Sequence, residues 1–252
     1  MELALATVLI ACAAFFAAGF VDAIAGGGGL VTLPVLLLCG VPPHMALGTN
    51  KMAVSLGSMA ALCSFASKGL VERRVAPWGS LAAFLGGAFG SWLALLVDSA
   101  LLGKILVFLL PVGFLVSLGT RFRGREGSLP ERWLWLKALG IGLAIGTYDG
   151  FFGPATGSFF ILAQHLVLHM GLVRASGTAK AMNLASNAGA LAGFAAGGAV
   201  VWALGAPLAL ASIAGNLLGV RLAVRVGASA VRNFLYLVLA GLLATLVWRF
   251  VI

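Results

Sequence analysis

The stretch Phe20-Val21-Asp22-Ala23-Ile24-Ala25-Gly26-Gly27-Gly28-Gly29-Leu30 sets an acid and four glycines inside an apolar run, and Tyr148-Asp149-Gly150-Phe151-Phe152-Gly153-Pro154-Ala155-Thr156-Gly157 does much the same in the second half. The two acids are 127 residues apart. Lys51, in Gly48-Thr49-Asn50-Lys51-Met52, and Lys180, in Gly177-Thr178-Ala179-Lys180-Ala181-Met182-Asn183, are 129 apart; Gly90 and Gly219 are 129 apart, and Lys104 and Arg232 128. Four landmarks at nearly one offset indicate a duplicated unit.

Composition supplies the class of that unit. With 62% hydrophobic residues, 9% charged residues and a mean hydropathy of +1.10, a chain of 252 residues has too little polar surface to cover a water-soluble globule. It reads as an all-α polytopic membrane protein embedded in a lipid bilayer. The formal charge of +9 does not indicate nucleic acid, because Lys and Arg sit mainly in short loops between apolar runs, where they act as topology determinants. Cys12, Cys39 and Cys63 have no disulfide or metal-ligand spacing and read as small core residues. The run before Cys12 lacks the Lys or Arg of a secretory signal and is expected to be retained.

Each half divides into five apolar segments, at about 3–21, 30–39, 44–67, 77–97 and 101–119, then 134–149, 157–170, 175–197, 203–222 and 231–251. The second of each set is too short to span: ten to fourteen helical residues cover about 15–21 Å of a core ~30 Å thick. A half-helix or re-entrant arm after each glycine-rich turn is expected. Odd segment number returns the second repeat inverted. The expected organisation is a first repeat over 1–120, a basic cytoplasmic linker over 121–133 and a second repeat over 134–252. Loop charges agree. Lys68, Arg73 and Arg74, then Arg121, Arg123, Arg125 and Arg132, then Arg174, then Arg221 and Arg225 can all be cytoplasmic at once, which places both termini outside. Interrupted segments at matching places in two membrane repeats point to a secondary transporter with its site between them.

The candidate chemistry lies where apolar runs break. A charge within the bilayer costs at least ~2.5–3.5 kcal/mol, so Asp22, Asp149, Lys51 and Lys180 are expected to face partners or a watery cavity; snorkelling lysines and helix-capping aspartates are the plainer alternative. Gly27, Gly28 and Gly29 allow backbone to approach a ligand, and the helix that follows offers unpaired N–H groups to an anion. Thr49, Thr156, Ser158 and Thr32 add hydroxyls, Asn50 and Asn183 add amides, and Gly157 belongs to the second turn. With Lys51 and Lys180 the pocket favours a small anion. Asp22 and Asp149 are candidates for coupling H+ or Na+, or for holding the turns by accepting backbone N–H bonds; Tyr148 either bonds Asp149 or lines the path. The pairs Gly86/Gly90 and Gly215/Gly219 read as close-packing positions, within one chain or between protomers.

Other chemistries lack their parts. No Gly-Lys-Ser/Thr follows the glycines as in a phosphate-binding loop, and no nucleophile elbow is present. His165 and His169 share a helix face at i, i+4 but lack a third ligand, so neither metal nor cofactor is expected, nor an enzyme.

The run from Phe20 to Leu30 with Pro34 and Gly48-Thr49-Asn50-Lys51, and the second-half run Tyr148 to Gly157 with Lys180-Ala181-Met182-Asn183, resemble the signature of the TauE/SafE family of sulfite exporter-like permeases over essentially the whole chain. The resemblance implies a transporter in the cytoplasmic membrane of a prokaryote, for sulfite or a small organosulfur anion such as sulfoacetate, and strengthens the anion reading. A proton- or sodium-coupled cation transporter and an anion channel stay open as alternatives.

Overall fold

The computed structural model describes residues 5–106, 108 and 132–226. The first half contributes α1 (Leu5–Ala25), α2 (Gly29–Leu38), α3 (Pro43–Ala66) and α4 (Ala76–Leu96), with residues 99–106 also helical; the second contributes α5 (Leu134–Phe151), α6 (Thr156–Leu168), α7 (Leu172–Ala196) and α8 (Trp202–Val226). All regular structure among the described residues is helical. Most of the linker, most of the fifth segment of the first half and the whole of the fifth segment of the second lie outside the described residues.

Local sequence explains the boundaries. Proline near the start opens α3 and α4, where its missing N–H is no loss. α2 ends in a Schellman turn: Gly40 takes φ +78°, its N–H bonds Leu37 O and that of Val41 bonds Leu36 O. The third helix of each half stops alike, with Gly69 (φ +67°) and Gly198 (φ +68°) followed by Leu70 N–H to Phe65 O and Ala199 N–H to Phe194 O. α1 runs four residues beyond the expected 21, so Asp22 occupies its last turn.

Three helices are long and apolar enough to cross a membrane among the described residues: α1 over Leu5–Ile24, α4, and α8 over Trp202–Arg221. α3 and α7 are as long but carry buried polar stripes. α2 and α6, ten and thirteen residues, are the expected short pair. Exposed Leu9, Leu85, Phe89, Trp92 and Leu210 give the outside an apolar surface, while Asn, Ser, Asp and Lys gather inside. That inverts the soluble pattern and suits a hydrocarbon solvent. Cys12 and Cys39 are half-buried and pack against the core, whereas Cys63 is exposed, which corrects the core reading for that residue: a thiol facing lipid meets no polar solvent, so nothing drives it inward.

Packing between the halves dominates. α4 lies along α5 and α7; in exchange α8 lies along α1 and α3, and α3 crosses α7. Glycines make these contacts close. Gly86 and Gly90 sit on the α5 backbone at Leu143 and Thr147, and their counterparts Gly215 and Gly219 sit on the α1 backbone at Phe16 and Phe20. These pairs therefore pack within one chain. Gly48 meets the Ala199 carbonyl and Gly177 the Leu70 carbonyl, again with the halves exchanged. Small residues let helix axes approach where lipid supplies no hydrophobic drive between helices.

Candidate functional site

α1 and α5 each end in an acid followed by a glycine-bearing turn. Gly26 (φ +75°), directly after α1, and Gly153 (φ +95°), two residues after the end of α5, take backbone that L side chains rarely adopt. The two turns touch. A Cβ at Gly157 would lie 2.6 Å from the Gly26 Cα, and the Ser158 N–H donates to the Gly26 carbonyl at 3.2 Å. Gly29 packs on Pro154 across the same contact.

The charged side chains close on this junction in two crossed pairs. Lys51 of α3 reaches the second half's Asp149, with Nζ 2.7 Å from Oδ1; Lys180 of α7 reaches the first half's Asp22, with Nζ 2.6 Å from Oδ2. All four side chains are buried, and no other charged residue is buried among those described. A carboxylate at a helix C-terminus faces the negative end of the macrodipole, so each acid needs the partner it has. Lys180 also donates to the Asp22 backbone carbonyl at 2.5 Å, and the Lys51 ammonium packs against Gly153, where a Cβ would lie 2.9 Å from it.

The second oxygen of each acid is held differently. Asp149 Oδ2 accepts the Ser186 hydroxyl at 2.7 Å, whereas Asp22 Oδ1 accepts the Gly28 N–H at 3.3 Å. The N-terminus of α2 thus already holds an anion, the protein's own carboxylate. Gly27 and Gly28 offer carbonyls to the first turn of α2.

The remaining candidates surround these pairs. Thr156 Oγ1 donates to the Gly153 carbonyl at 2.6 Å, and Thr32 Oγ1 to the Gly28 carbonyl at 3.4 Å. Tyr148 donates to the Pro154 carbonyl at 2.7 Å and packs edge-on to Phe152 and tilted against Phe159. Thr49 accepts the Val201 N–H and Thr178 the Glu72 N–H, both at 2.9 Å, so each third helix anchors the other half's loop. Asn183 accepts from the Asn187 amide through its main-chain O at 2.7 Å and its Oδ1 at 3.1 Å, while the Asn50 Oδ1 is buried without a partner.

Sequence reasoning missed Ser186 and Asn187. Their only signal is polarity on the buried face of α7, two turns beyond Lys180. His165 and His169 do not share a face: α6 ends at Leu168, His169 turns into left-handed backbone and is exposed, and the buried His165 lies with Nδ1 2.7 Å from the Met170 carbonyl. No cluster of metal-ligating side chains occurs among the described residues.

An all-helical apolar bundle with buried crossed ion pairs at paired helix breaks defines a membrane transporter. The sequence profile of the family described as Sulfite exporter TauE/SafE matches residues 11–246, and the chain belongs to that family. It is a multi-pass transmembrane permease, and the family is one of transporters rather than enzymes. The chain is 40% identical to a probable membrane transporter protein of Haemophilus influenzae, over 86% of this chain and 85% of that one. It is 36% identical to the probable membrane transporter protein ORF9 of a Sinorhizobium species, over 89% and 86%, and 35% identical to the probable membrane transporter protein YfcA of Escherichia coli, over 92% and 86%. No solved structure matches the chain.

Proposed function

We propose that this chain is a secondary transporter of a small anion, sulfite or an organosulfur anion such as sulfoacetate, working by alternating access in the inner membrane of a prokaryote. The observation that carries the reading is the pair of crossed bridges, Lys51 to Asp149 and Lys180 to Asp22, at the contact between the glycine turns. Desolvation offsets much of the Coulomb attraction in a buried pair, so the net stabilisation is small. A lysine held this way is kept ready for an incoming sulfite or sulfonate oxygen, whereas an unpaired ammonium at that depth would be expensive to keep.

The exchanged contacts of the halves support two repeats, 1–120 and 134–252, joined by the basic linker 121–133, and inverted relative to one another. Both bridges run between halves. Movement of one half against the other, exposing a central site to one side at a time, would therefore work at these pairs. Thr156, Gly157 and Ser158 would border the substrate from the second turn, Gly27, Gly28 and Gly29 from the first, and Asn50 and Asn183 from the third helices, with the Thr49 hydroxyl taken up by the Val201 N–H.

The test is thermal stabilisation of the purified protein by sulfite, thiosulfate, sulfoacetate, taurine, sulfate and acetate. Selective stabilisation by one sulfur anion, lost in Lys51→Ala and Lys180→Ala, is expected. A second reading has its own support, since both lysines are already neutralised: an aspartate-centred cation carrier with the lysines as internal counter-ions. Stabilisation by sodium and by none of the anions would favour it.

A further inference from the structure

The central charges sum to zero, and this constrains what can enter with an anion. Asp22, Lys51, Asp149 and Lys180 are the only buried charges among the described residues, and each lysine is spent on an acid. An anion that draws a lysine away leaves a carboxylate at a helix C-terminus without its cation, which is strongly unfavourable at this depth. Something positive must arrive with it.

The neighbours of the two acids say what. Asp149 keeps the Ser186 hydroxyl from α7, and Asp22 keeps the Gly28 N–H. In both cases a carboxylate oxygen accepts, and protonation at the other oxygen leaves that bond in place, whereas a sodium ion would need several further oxygen ligands around the carboxylate. Among the described residues no other titratable group is placed to take the charge. Tyr148, beside Asp149 on α5, gives its proton to the Pro154 carbonyl; His165 of α6 bonds at the Met170 carbonyl, and His44 of α3 at the Ala94 carbonyl. α2 and α4 carry no titratable side chain, Arg174 of α7 pairs with Glu72 at the surface, and Arg221 of α8 is exposed.

We infer that the protein carries its anion together with one proton per negative charge, each proton taken by the aspartate whose lysine turns to the anion. The proton comes from the aqueous phase on the loading side, bonds to a carboxylate oxygen of Asp149 or Asp22, and leaves to the other side when the lysine returns. With two bridges the capacity is two: a monoanion opens one, a dianion both. The inference rests on the anion reading above and names its co-substrate.

The experiment uses the whole protein in liposomes holding a pH-sensitive dye, with the membrane potential clamped by potassium and valinomycin. The probes are isethionate, a monoanion, and thiosulfate and sulfoacetate, dianions, none of which crosses lipid as a neutral acid. One proton entering per isethionate or two per dianion, with uptake rates indifferent to the imposed potential, is the expected result. Anion entry without protons, with sodium in their place, or at rates that follow the potential overturns the inference while leaving the anion reading intact. If none of the probes moves, the anion reading falls and this inference with it. Asp149→Asn should lower the proton count per dianion from two to one and make dianion uptake voltage-dependent; an unchanged count for the dianions overturns the assignment. Should that variant not fold, the wild-type count still decides.

Discussion

The Lys51 ammonium lies 2.7 Å from the carboxylate of Asp149, although the two belong to different halves of the chain. Removing one partner leaves an uncompensated buried charge, which costs about 3–5 kcal/mol, while removing both leaves a neutral gap. Lys51→Met should therefore lower the melting temperature in detergent sharply, and Lys51→Met/Asp149→Asn should recover most of the loss. Neither variant should transport. A double variant no more stable than Lys51→Met would show that the pair is not coupled.

The exchanged helix contacts predict opposite outcomes for two glycines on one helix. Gly150 of α5 lies against the Gly87 carbonyl and the Ser91 N–H, so Gly150→Ala must push α4 away and should destabilise by about 3 kcal/mol, the upper end of the usual cost of overpacking. Gly140, on the same helix, faces open space. Gly140→Ala should raise stability by about 0.5–1 kcal/mol through helix propensity alone. Melting curves of the two variants check both signs.

The second turn contains a strained residue. Ala155 takes φ +65°, a conformation that costs an L residue roughly 1–2 kcal/mol, whereas the matching position of the first half, Gly28, has φ −55°. Ala155→Gly should stabilise the protein by about 1 kcal/mol without altering anion affinity. Gly157→Ala, by contrast, drives a methyl into the Gly26 backbone and should abolish transport.

Thr49 and Thr178 should behave as anchors. Each hydroxyl accepts a loop N–H from the other half, a bond worth about 0.5–1.5 kcal/mol. Thr49→Val is expected to cost about that much plus the penalty of an orphaned Val201 N–H, with anion affinity unchanged, and Thr49→Ser to restore it. Equilibrium binding beside a melting curve separates the two effects.

The short second segments were legible because charge and glycine interrupt an apolar background, and a bilayer tolerates such breaks only where they face protein or a cavity. The end of α1 was misplaced because Asp22 reads as a helix terminator until its partner is known. Which acid meets which lysine was not legible either. A constant offset between Asp22 and Asp149 states which residues are equivalent and is silent on contact, and the crossed pairing follows from α3 and α7 each passing the other half's turn. Ser186 was overlooked because a lone serine on a long membrane helix resembles any small packing residue; only the direction of its hydroxyl toward Asp149 distinguishes it.

Asn50 and Asn183 look alike in sequence, one near each lysine, but their surroundings differ. Asn183 is tied to Asn187 one turn on, while the Asn50 Oδ1 is buried with no donor facing it. An unsatisfied buried carbonyl costs roughly 1–3 kcal/mol, so a residue that keeps one is held there by something other than stability. Asn50→Ala should leave the melting temperature unchanged or raise it, yet weaken substrate binding roughly five- to tenfold, the loss of about one hydrogen bond to a ligand donor or bridging water. Asn183→Ala should do the reverse, lowering stability first. If Asn50→Ala destabilises and binds normally, Asn50 belongs to the scaffold, and the pocket must be sought on the α7 side of the crossed pairs.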